Sequence, residues 1–195
     1  MKEHVQNGEN NLEFRLIDSL GSISMDYPER TDTFFTWIVK SDCGKPCEYG
    51  AYRFQSRQKK IYKESGFVWV GEPEDSVEQL TVYHRRVDVL GKDSASLVTI
   101  DKERLLFNLL SDPYTYSVIS DTVYNIANRP FLIFKLADVR QSGVRDVRLI
   151  AFTQVNGWEV EFHYKLLTKK YDSVVSGFYD RSLRNMATIR FKPGG

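Results

Sequence analysis

The sequence predicts an α+β domain, an antiparallel β-sheet with two main helices packed on it, and three stretches carry that expectation. Trp158 to Leu166 alternates Trp158, Val160, Phe162, Tyr164 and Leu166 with Glu159, Glu161, His163 and Lys165, so a strand there has one apolar and one polar face. Asn156-Gly157 ahead of it is the dipeptide of a two-residue hairpin turn, which needs positive φ at both central positions, and it joins this strand to another over Asp146 to Val155. Lys169 to Ala187 then places Tyr171, Val174, Val175, Phe178, Ser182, Leu183 and Met186 close to the spacing of a helix with one buried stripe. Thr168 is its candidate N-cap, and Gly177 inside it costs about 1 kcal/mol against Ala or marks a close approach to the sheet.

From the N-terminus, residues 1–11 form a polar, flexible leader and 12–195 a single α+β domain. Leu12 to Leu20 and Ser22 to Tyr27 read as two short strands around Gly21. Thr33 to Lys40 is rich in β-formers, Tyr49 to Gln55 alternates, and the two are expected to pair around the turn Asp42-Cys43-Gly44-Lys45-Pro46-Cys47. Phe67 to Val70 is a compact apolar run before the acidic loop Glu72-Pro73-Glu74-Asp75, and Gln79 to Val89 is a further strand. The second helix spans Asp101 to Ser111, where Asp101 caps, Ile100 staples on Leu105, and Leu105, Leu106, Leu109 and Leu110 face the core until Pro113 stops it. Tyr114 to Ile126 and Phe131 to Arg140 are strands separated by Asn128-Arg129-Pro130, and Thr188 to Lys192 alternates once more before Pro193-Gly194-Gly195.

A chain of 195 residues can bury about 70% of its unfolded surface in one core, so it needs no disulfide or metal staple. Lys and Arg number 27 against 26 acids, and this balance leaves no electrostatic footprint for nucleic acid or an anionic membrane. No apolar run reaches 18 residues, so no transmembrane helix is expected. The first eleven residues look like the leader of a mature bacterial lipoprotein whose first Cys is replaced by Met, which would place the protein in a periplasmic or membrane-anchored setting. A cytosolic terminus has the same composition, so both compartments stay open.

From Asp121 onward the order strand, strand, hairpin, long helix and short final strand resembles the PsbP/Mog1-like α/β/α sandwich group. The residues that carry the likeness are Val155-Asn156-Gly157-Trp158, the alternating Val160 to Leu166, Tyr171-Asp172 and Met186 to Phe191. It covers under half of the chain, and the Cys-x-x-x-Cys turn of the first half departs from it. The resemblance implies a binding or assembly protein without catalysis, and no binding residue carries across.

Cys43 and Cys47 are candidates for a small disulfide loop, for half of a metal site, or for two unlinked thiols. Zinc would need two further ligands, and His84 and His163 have no paired spacing, so no metal or cofactor is expected. His163 shares a strand face with Glu159 and Glu161 and could move a proton or bind a cation, but alternation alone accounts for a solvated polar face. His84 before Arg85 and Arg86 could grip a phosphate, or simply end a strand with charge. Phe34, Phe35 and Trp37 cannot all point to one side of a strand, and of the two readings, a partner interface or full burial between sheet and helices, burial is the one expected. Phe67, Trp69, Glu72, Glu74 and Asp75 are the candidate partner surface. Gly-x-Ser-x-Gly, P-loop, Gly-x-Gly-x-x-Gly and His-Glu-x-x-His patterns are absent.

These readings favour a non-enzymatic protein-interaction domain, bacterial and in one reading a lipoprotein, with a protein partner. An immunity or adaptor protein that neutralises a cognate toxin through the acidic loop is the second expectation. The third is a small hydrolase or ligand-binding protein with its site near Glu159, Glu161 and His163.

Overall fold

The computed structural model describes residues 11–17, 20–40, 42, 48–56, 76–85, 102, 106, 115–138, 144–169 and 176–194. Cys43, Cys47, Phe67, Trp69, Glu72, Glu74 and Asp75 lie outside the described residues.

Among the described residues the strands are β1 (Asn11–Arg15), β2 (Ser22–Asp26), β3 (Thr33–Val39), β4 (Tyr49–Gln55), β5 (Val77–Arg85), β6 (Tyr116–Ile126), β7 (Arg129–Asp138), β8 (Arg145–Val155), β9 (Trp158–Thr168) and β10 (Arg190–Lys192), and the helix described along its length is α1 (Phe178–Ala187). Seven of the strands form an antiparallel sheet in the order β3-β4-β5-β9-β8-β7-β6, and β1-β2-β10 form a second, smaller one. The protein is therefore mostly β, a sheet-on-sheet sandwich, which corrects the α+β class with two main helices on one sheet. The physical reason lies at the two ends of the chain. The strands read at 11–26 and 188–192 pair with each other and cover the apolar face that had been assigned to helices.

The hairpin at Asn156-Gly157 forms as its sequence requires: Asn156 has φ 53° and Gly157 φ 83°, and Val155 faces Trp158 across it. A second two-residue turn of the same kind joins β6 to β7 through Ala127 (φ 51°) and Asn128 (φ 59°). The expected pairing of the strands around the Cys43–Cys47 turn also forms, with Phe34 opposite Phe54 and Trp37 opposite Ala51.

One face of the large sheet is the main core. Phe54, Leu80, Val82, Leu149, Ala151, Val160, Phe162 and Leu166 meet Leu12, Phe14, Ile23 and Met25 of the small sheet, with Phe178 and Met186 of α1. The helix buries Phe178, Ser182, Asn185 and Met186, a four-three-one spacing that keeps them on one side. It covers the second part of the 169–187 span read from the sequence. Thr168 ends β9 and shares a hydrogen bond with the Ser76 hydroxyl rather than capping the helix, Gly177 stands at the N-cap, and residues 170–175 of that span lie outside the described residues.

Polar bonds fix the helix to both sheets. Tyr164 donates to Asn185 Oδ1 at 2.8 Å, and Asn185 Nδ2 donates to the Asp26 carbonyl at 2.9 Å. Arg181 donates to Glu78 on β5. Burial pushes the Tyr164 hydroxyl well above its ordinary pKa, so it stays a donor at any physiological pH. Tyr164→Phe should lower stability by about 1–2 kcal/mol by leaving the Asn185 acceptor unmet, seen as a lower urea midpoint at unchanged slope.

The opposite face of the large sheet is covered as well. Leu132, Phe134, Leu136, Ile150 and Phe152 bury against Leu106, which is helical, as is Lys102. The remainder of the expected helix over Asp101–Ser111 lies outside the described residues.

Candidate functional site

On that second face the sheet changes character from one end to the other. On β7 and β8 it carries the apolar cluster of Leu132, Phe134, Leu136, Ile150 and Phe152, and across β4, β5 and β9 it is polar: Arg53 and Gln55, then Gln79, Thr81 and Tyr83, then Glu159, Glu161, His163 and Lys165. Register brings these into rows, with Gln55 opposite Gln79 opposite Lys165, and Arg53 opposite Thr81 opposite His163.

The expectation that Glu159, Glu161 and His163 form a solvated face is corrected here. Glu159 and Glu161 have no exposed surface, and the His163 side chain keeps 14%. His163 Nε2 lies 2.7 Å from Glu161 Oε2, and the Tyr83 ring stands edge-on to the imidazole at 5.0 Å. Beside them Arg53 donates from Nε to the Thr81 hydroxyl at 3.0 Å and lies 5.3 Å over the Trp37 ring. A buried carboxylate is tolerable only with charge and hydrogen-bond partners, which is why acid, imidazole and guanidinium gather in one patch.

The sequence did bring Glu161 and His163 together correctly, as residues two apart on one strand face. A dyad of this kind can orient an imidazole for proton transfer, yet a catalyst must also reach its substrate, and Glu161 has no surface through which to do so. Among the described residues no three His, Cys, Asp or Glu side chains stand in metal-binding geometry.

A second ionic centre lies farther along the same face. Asp146 receives two hydrogen bonds from Arg148, Nε to Oδ1 at 3.0 Å and Nη2 to Oδ2 at 2.9 Å, and one from the Tyr116 hydroxyl at 2.8 Å. Lys165 Nζ is 3.5 Å away, and the Arg148 guanidinium lies 4.5 Å over the Tyr116 ring. Burial acts to raise the Asp146 carboxyl, but Arg148, Lys165 and Tyr116 together outweigh it and hold the group below the ordinary carboxylate range. Burial pushes the Tyr116 hydroxyl in the opposite direction, upward.

His84 does not present itself to an anion beside Arg85. It is buried toward the main core, where its Nδ1 accepts from the Ile17 amide at 2.8 Å and its ring stacks on Tyr52 at 5.5 Å. Arg86 lies outside the described residues.

The rim of the large sheet carries exposed apolar side chains. Among the described residues no strand pairs with the outer side of β3 or of β6. On β3, Phe34 turns inward onto Phe54, while Phe35 and Ile38 are exposed, Ile38 to 62%. On β6 none of the eleven residues is buried, and Val118, Ile119, Val123 and Tyr124 are exposed. Sequence reasoning found both strands but not their place at the edges. The expectation that Phe34, Phe35 and Trp37 are all buried between sheet and helices is corrected at Phe35, which is exposed because alternation turns it away from the face on which Phe34 meets Phe54.

Fold and surface together define a mostly antiparallel β-sandwich with a buried polar patch and two partly apolar edge strands that have no outer strand partner among the described residues. No protein-family model matches the chain, and no curated protein matches it. No helix among the described residues is long and apolar enough to cross a membrane.

Proposed function

We propose that this chain is a non-enzymatic protein-interaction domain, and that it takes an extended segment of a partner protein as an added strand along β3. The observation that carries this is the pair Phe35 and Ile38 on an edge strand whose outer side has no described neighbour. An odd spacing puts the two side chains on opposite faces, so an added strand would find main-chain hydrogen bonds along its length and an apolar anchor above and below. A hydrolytic or ligand-binding reading is less well supported, because the Glu161–His163 pair is enclosed.

Affinity capture with the full chain from its native cell tests the reading. A specific partner should be held equally by the parent and by Arg184→Ala, a change at an exposed position of the helix. Ile38→Lys should weaken its binding at least about tenfold, the effect of losing one apolar anchor. A partner that binds Ile38→Lys as tightly as the parent would exclude the β3 edge.

A further inference from the structure

The opposite edge of the sheet has a different property: β6 is complementary to itself. Its sequence, Tyr116 to Ile126, contains no Lys, Arg or Pro and one charge, Asp121, which pairs with Lys102 at 2.5 Å. Edge strands normally carry charge or proline to discourage strand addition. Among the described residues the devices present here are that single ion pair and a bulge between Val118 and Ser120, which leaves Ser120 to Ile126 as a regular stretch.

We infer that β6 is a homodimer interface, in which a second copy of this chain pairs its own β6 antiparallel to the first about a two-fold axis through Val123. In that register Val123 meets Val123, Thr122 meets Tyr124, Asp121 meets Asn125 and Ser120 meets Ile126. Every opposed pair then lies on one face of the joined sheet, because residues whose numbers sum to the same even value keep the pleat in phase. The central pair is apolar, and the one acid sits opposite an amide that can donate to it. A two-fold axis through Asp121 would set two carboxylates against each other and would bring Ile119 and Val118, beyond the bulge, onto the wrong faces for Val123 and Tyr124. The resulting contact is isologous and closed, so it ends at a dimer and joins two seven-stranded sheets into one. It goes beyond the β3 reading and does not depend on it.

The experiment is sedimentation of the full chain over a wide range of concentration, with charge variants at the two-fold axis. The parent should move from monomer to dimer as concentration rises. Val123→Lys and Val123→Glu should each remain monomeric, since each puts like charges face to face, and an equimolar mixture of the two should recover the dimer. Under oxidation, Val123→Cys should crosslink beyond the level of the parent, because opposed Cα atoms in such a pair lie about 4.5–5.5 Å apart. Asp121→Cys should not, because its copies would stand about 13 Å apart along the strands. A parent that stays monomeric throughout, a Val123→Lys dimer as strong as the parent's, a mixture that stays monomeric, or Asp121→Cys crosslinking as well as Val123→Cys would overturn the inference.

Discussion

Asp146→Ala should cost the fold about 3–5 kcal/mol, the largest loss expected from any single polar substitution in the described sheet. The Asp146 side chain is 8% exposed, and around it Arg148 and Lys165 are mostly buried, at 20% and 15%. Removing the carboxylate leaves two cations and the Tyr116 hydroxyl facing an empty acceptor position, so the desolvation penalty of each charge stays while the attraction that offset it is lost. Urea unfolding of the variant should show the loss as a shifted midpoint with unchanged slope.

The same centre sets a pH dependence whose sign follows from Asp146. Its folded-state pKa lies below the unfolded value, so the ionised form favours the folded state. The stability it contributes is fully present above the unfolded value, about 4, and is lost as pH falls through the lower, folded one. The parent should therefore lose stability more steeply on the acid side than Asp146→Asn does. Equal acid slopes in the two proteins would show that Asp146 is not held ionised by its neighbours.

Gly50→Ala should destabilise by about 3 kcal/mol, the upper part of the range for overpacking a close-fitted site. Gly50 stands directly opposite His84 on the next strand, and a Cβ there would lie 2.2 Å from Nε2 and 2.5 Å from Cε1 of the imidazole. The ring has little freedom to withdraw. Its Nδ1 holds the Ile17 amide, its face lies on Tyr52, and the Tyr52 hydroxyl is itself bound to the Arg15 carbonyl at 2.6 Å. Moving the ring breaks the link between the large sheet and the end of β1, so the cost spreads beyond the clash. A double-mutant cycle with His84→Ala makes this specific: the pair should be less destabilised than the sum of the two single changes, by about 1 kcal/mol or more. Strict additivity would place the cost of the methyl group somewhere other than the His84 ring.

Much of the local structure was legible because it rests on short-range chemistry. Asn156-Gly157 could be read as a hairpin since few dipeptides accept positive φ twice, and both residues adopt it. Ala127-Asn128 makes the same turn without a glycine, and the sequence placed the break between these strands slightly late, at Asn128-Arg129-Pro130, because Pro130 has turn composition although it lies within β7. The helix stripe was right in phase, with Phe178, Ser182 and Met186 all buried, but its start was misplaced, because Thr168 has the composition of a cap while β9 runs on through it. Glu159 and Glu161 were assigned to the correct face and to the wrong environment.

The amino-acid sequence by itself determined where the strands of the C-terminal half lie, which side chains share a face, and which turn closes the β8–β9 hairpin, since period-two alternation and turn propensity act within a few residues. Only the tertiary structure decided that the chain ends pair into a second sheet, that the polar face of β9 is enclosed, and that β3 and β6 are the strands left at the rim. Alternation records that two faces differ in polarity. Whether water or protein meets the polar one depends on contacts between residues far apart in the chain, and on how charges from several strands compensate one another once they are brought together.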